Sequence, residues 1–101
     1  MRTENLMEIA DDFKKSLIGL SLDTMRRYRR TAIDFLSYNS KELSAIDAHD
    51  INDYLSYKLN QGIGHPAYLK IRAALNHFEI FCSFISQNVT QSVADLWNNY
   101  L

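Results

Sequence analysis

Between Tyr68 and Ile85 the chain carries an apolar arc broader than one side of a surface helix, and this feature decides the architecture. Tyr68, Ile71, Leu75, Phe78, Cys82 and Ile85 form one seam at helical spacing, and Leu69, Ala73, Ala74, Phe81 and Phe84 widen it. A helix apolar over so wide an arc needs neighbours on several sides, which makes it central. Its neighbours are expected to be helices too, because three Gly and one Pro leave too few turns for a many-stranded sandwich or barrel. The expected fold is all-α, a compact bundle of four to five short helices forming a single domain over residues 1–101.

The other helices follow from period and caps. A first helix is read from about Glu4 to Ile18, with Leu6, Ile9, Ala10, Phe13 and Leu17 inward, Glu4, Glu8, Asp11 and Asp12 in water, and Gly19 as C-cap. A second runs from about Leu22 to Tyr38 behind Ser21 as N-cap, burying Met25, Tyr28, Ala32, Phe35 and Leu36. The third starts at Asp47, whose carboxylate can cap it, and carries Ile51, Tyr54, Leu55 and Leu59 until Gly62. The turn from Gly62 to Pro66 opens the central helix, with His65 near the cap and Pro66 at the first helical position. A short fifth helix is expected from about Gln91 to Tyr100, presenting Val93, Leu96, Trp97 and Tyr100.

The side-chain inventory narrows the chemistry. Cys82 is the only cysteine and stands in an apolar stretch, so no disulfide framework is expected and a reducing cytoplasm fits. No basic leader with an apolar run opens the sequence and no segment is apolar for 18 residues, so neither secretion nor a membrane partner is expected. His49, His65 and His77 lack a paired spacing for metal ligation. The Asp47, Asp50 and Asp53 cluster lacks a calcium-loop pattern, and capping accounts for it. No metal and no cofactor are expected. Tyr28 and Tyr54 read as core residues from their spacing, and Tyr68 as more open.

Read in order, three pieces resemble one family. Ser21-x-x-Thr24-x-x-x-Tyr28, followed by Ala32, Phe35 and Leu36, is the most specific. Ile46-Asp47-x-x-Asp50-Ile51-x-x-Tyr54-Leu55 comes next with Gly62 behind it, and Ala74-Leu75-x-x-Phe78 follows. In this order they resemble the N-terminal core-binding domain of tyrosine recombinases of the phage-integrase type, a SAM-like helical fold. The chain departs from that pattern at Gly64 and Ala67, where the family often has Ser and Thr, and at Val89, which replaces the proline of an Asn-Pro pair.

The resemblance implies a domain that clamps double-stranded DNA opposite a C-terminal catalytic domain during DNA integration and recombination. It implies that this half binds without cutting, because the catalytic domain that supplies the nucleophilic tyrosine is missing from the 101 residues, so the chain itself is expected not to be an enzyme. Other recombinase protomers on the same DNA are further implied partners.

The formal net charge is −1, so a DNA role has to rest on how charge is distributed. Lys14, Lys15, Arg26, Arg27, Arg29 and Arg30 lie in one segment against Asp23 alone. Arg26 and Arg30 share a stripe at i,i+4 and repel by roughly 0.2–0.5 kcal/mol in an isolated helix, a cost that a phosphate relieves. Ser21 and Thr24 stand at a helix N-terminus, where free N–H groups favour an anion. Lys70 and Arg72, with His65 and Tyr68 beside them, would extend the track. The bland alternative is a solvated face, with Asp23 pairing with Arg27 and Asp34 with Arg30 at i,i+4. Arg29 is set apart, its stem covering the core edge between Met25, Ala32 and Leu36. A second functional class, a helical protein-interaction or oligomerisation module without DNA binding, is motivated by the near-neutral charge and the hydroxyls absent at Gly64 and Ala67.

Overall fold

The computed structural model describes residues 3–39, 41 and 43–87. Within them the chain forms α1 (Thr3–Ser16), α2 (Leu22–Tyr38), a single 3-10 turn (Leu43–Ala45), α3 (Ala48–Asn60) and α4 (His65–Gln87). Among the described residues there is no strand, and the domain is an all-α bundle. The expected fifth helix, with Trp97 and Tyr100, lies outside the described residues.

Each boundary has a local cause. Ser21 caps α2 by accepting the Thr24 N–H at 3.2 Å. Asp47 and Asp50 form a reciprocal capping box, each carboxylate accepting the other's backbone N–H at 3.1 Å, and this fixes the start of α3. Gly62, at φ +89°, reverses the chain after α3 in the left-handed region that a side chain resists. Gly19, at φ +93°, does the same in the α1–α2 turn.

Two boundaries and one short element differ from the sequence expectation. α1 ends at Ser16, two residues before Ile18, because its last turn tightens: the Leu17 N–H bonds to the Lys14 carbonyl at 3.1 Å and the Ser16 hydroxyl to the Phe13 carbonyl at 2.5 Å. α4 begins at His65, so Gly64 accepts its first i→i−4 bond, from Tyr68 at 3.0 Å, and Pro66 occupies the second helical position. Pro66 still loses nothing there, because the first-turn N–H groups have no intrahelical acceptor. The 3-10 turn at Leu43–Ala45 is not among the expected elements; Leu43 opens it, Ile46 follows it, and both pack on the core.

α4 is central, touching α1, α2, α3 and the 3-10 turn. Phe13, Phe35, Phe78, Leu75, Leu36 and Tyr54 are almost fully buried around it. Their rings meet edge-on: Phe13–Phe78 at 5.0 Å, Phe35–Phe78 at 6.0 Å and Phe35–Tyr54 at 5.4 Å. α1 and α2 fold back on each other through the Gly19 turn, and Asp11 meets Arg29 across that hairpin at 2.7 Å. Cys82 is buried as a small apolar side chain.

Candidate nucleic-acid interface

α2 sets the geometry of the basic stripe. Its inward residues Tyr28, Ala32, Phe35 and Leu36 are buried, which turns Arg26, Arg27 and Arg30 to solvent, and all three are exposed. Among the described residues none of the three has a carboxylate within ion-pair distance. The pairs expected with Asp23 and Asp34 do not form. Arg27 instead donates a long hydrogen bond to the Thr24 hydroxyl, at 3.4 Å. Asp34 is engaged elsewhere: its carboxylate accepts the Tyr54 hydroxyl of α3 and lies 3.6 Å from Lys58 Nζ. The partners of Asp34 are thus tertiary, on α3, and not at i−4 on its own helix.

Arg29 behaves differently from its neighbours. It is half-buried, and its guanidinium is held by Asp11. That ion pair joins residues 18 positions apart and has no local sequence signal.

The N-terminus of α2 adds hydroxyls beside the arginines. The Ser21 hydroxyl donates to Thr24 Oγ1 at 2.8 Å, and Thr24 receives Arg27 on the same oxygen. Ser21, Thr24 and Arg27 therefore form a short hydrogen-bonded chain at the positive end of the helix dipole. Lys14 is half-buried and Lys15 exposed in the last turn of α1, just before the turn that leads to Ser21.

The remaining candidates lie on another helix. His65, Lys70 and Arg72 are exposed on the first half of α4, and Tyr68 is half-buried against the core margin. His65 and Tyr68 stack with their rings 6.2 Å apart. α2 meets α4 at Tyr28–His77 (5.3 Å) and Phe35–Phe78. His65 lies twelve residues before His77, about 18 Å along the helix axis. The sequence candidates thus divide into an α2 group (Ser21, Thr24, Arg26, Arg27, Arg30) and an α4 group (His65, Tyr68, Lys70, Arg72).

Tyr54 and Tyr28 are buried, as their spacing implied. Burial, reinforced by the Asp34 hydrogen bond, raises the Tyr54 phenol well above its ordinary value, so it stays a neutral donor. The described residues contain no group of three His, Cys, Asp or Glu side chains arranged to hold a metal ion. None of their helices is long and apolar enough to cross a membrane. No family model, curated protein or solved structure matches this chain.

Proposed function

We propose that this domain binds duplex DNA as the N-terminal core-binding, SAM-like module of a tyrosine recombinase, clamping DNA opposite a catalytic domain during integration and recombination. One observation carries the reading: Arg26, Arg27 and Arg30 project from one helix with no carboxylate among the described residues to neutralise them, although twelve acids are in the chain. Three such cations on a rigid helix suit successive backbone phosphates, which release counterions when neutralised. The role is binding in a cytoplasmic protein, with the chemistry supplied by the catalytic half of such recombinases. Its partners are then double-stranded DNA, that catalytic domain and other protomers on the same DNA. The test is a titration of duplex DNA at several salt concentrations, starting near 50 mM. The expected result is salt-dependent binding whose log–log slope falls by about one for each of Arg26→Ala and Arg30→Ala. Absence of binding at the lowest salt refutes the reading.

A second reading, a helical protein-interaction module, is motivated by the net charge of −1 and by Gly64 and Ala67, which carry no hydroxyl to meet a phosphate. Sedimentation without DNA separates the two: concentration-dependent association supports the module, and a monomer throughout the micromolar range rejects its homotypic form.

A further inference from the structure

Arg30 and Asp34 stand one turn apart on the solvent side of α2, the spacing at which an arginine and a carboxylate ordinarily pair. They do not pair; Asp34 is instead engaged from another helix. The Tyr54 hydroxyl, delivered by α3 from a side chain only 1% exposed, donates to Asp34 Oδ2. Lys58, one turn later on α3, approaches the same oxygen at 3.6 Å and lies over the Tyr54 ring, 5.9 Å from its centroid. The Asp34 side chain remains 56% exposed. A carboxylate this exposed, released from those partners, lies at the i,i+4 spacing at which opposite charges on a helix attract.

We propose that Tyr54 is a positioning residue for the anion-binding stripe: by holding the Asp34 carboxylate with its hydroxyl, it keeps Arg30 free for a DNA phosphate. The inference rests on the DNA-binding reading above and adds a cause for it. Tyr54 is suited to the task. Its ring is locked between Phe35 (5.4 Å) and Tyr38 (5.3 Å), so the hydroxyl is presented in one place without further ordering cost. The phenol is neutral, so it diverts the carboxylate without adding a charge that would compete for phosphate. Lys58 offsets the negative charge that Asp34 would otherwise show to DNA along α2.

The experiment is a double-mutant cycle on the full chain, Tyr54→Phe with Arg30→Ala, read by fluorescence anisotropy on a labelled DNA duplex at low salt, with helix content checked by circular dichroism. Tyr54→Phe keeps the ring and changes no charge. It is expected to weaken DNA binding about twofold, the weight of one i,i+4 ion pair newly formed by Arg30, and to change nothing once Arg30 is alanine. In the free protein the Arg30 Nε–H resonance is expected to shift in Tyr54→Phe. Equal weakening in both backgrounds overturns the proposal, because Tyr54 then acts only through the fold. So does an unchanged affinity in Tyr54→Phe when Arg30→Ala alone weakens binding. A silent Arg30→Ala defeats the DNA reading of this residue; in that event an unshifted Arg30 Nε–H in Tyr54→Phe separately rejects the hold on Asp34, and a shift retains it.

Discussion

Asp11 and Arg29 meet at 2.7 Å across the α1–α2 hairpin, and this contact divides the arginines of α2 into one that is held and three that have no carboxylate partner among the described residues. Arg29→Ala is expected to cost stability, about 0.2–1 kcal/mol for the exposed ion pair, plus the packing of its stem, while leaving the DNA salt slope almost unchanged. Arg26→Ala with Arg30→Ala should show the reverse: DNA affinity falls and the denaturation midpoint does not. Urea unfolding and DNA titration on the same two variants decide it.

Phe78 is the residue on which three helices converge, fully buried and in ring contact with Phe13 of α1 and Phe35 of α2. Phe78→Ala should cost about 3–5 kcal/mol through lost transfer energy and an incompletely collapsed cavity. Domains of this size have roughly 5–15 kcal/mol in total, so the variant should melt far below the wild type in a thermal scan monitored by circular dichroism.

Asp50 is a buried carboxylate whose Oδ1 lies 2.8 Å from Lys41 Nζ and whose Oδ2 accepts the Asp47 N–H. The Lys41 contact, followed by the capping hydrogen bond, holds its carboxyl below the usual range against the opposing effect of burial. A group whose folded value is depressed adds stability above its unfolded value, about 3.9, and loses it as pH falls toward the folded one. Stability should therefore drop as pH goes below about 4, and the drop should be smaller in Lys41→Met. Lys41 is raised by the same partner, so a matching loss should begin above about pH 10.4. Denaturant midpoints measured across pH in both proteins check the sign at each end.

The Cys82 thiol is pushed up to about 12 by burial, with Glu79 adding to the shift. Its alkylation by iodoacetamide at pH 8 should be at least about tenfold slower in the native protein than in urea. A native rate equal to the unfolded one would mean that Cys82 is not inside the core.

What the sequence made legible was local. α2, α3 and α4 were readable because Ser21, Asp47 and Gly62 mark their ends and their apolar residues recur at the helical period. The 3-10 turn was not readable, since three residues carry no period. Within the candidate site, the outward placement of Arg26, Arg27 and Arg30 followed from the buried positions between them. The absence of a carboxylate partner for them among the described residues did not: Asp34 is four residues from Arg30 but twenty from Tyr54, and only the folded chain shows which contact is made. The partner that Arg29 finds, Asp11 on another helix, has no sequence signature.

The chain of ring contacts bears on how the domain comes apart. Phe81, Phe13, Phe78, Phe35, Tyr54 and Tyr38 touch in succession and link α1, α4, α2 and α3 in one unbroken series. No helix can leave without parting a ring pair that another helix depends on. Amide exchange in the middle of all four helices should thus be governed by a single opening free energy equal to that of global unfolding, with faster exchange confined to helix ends and turns.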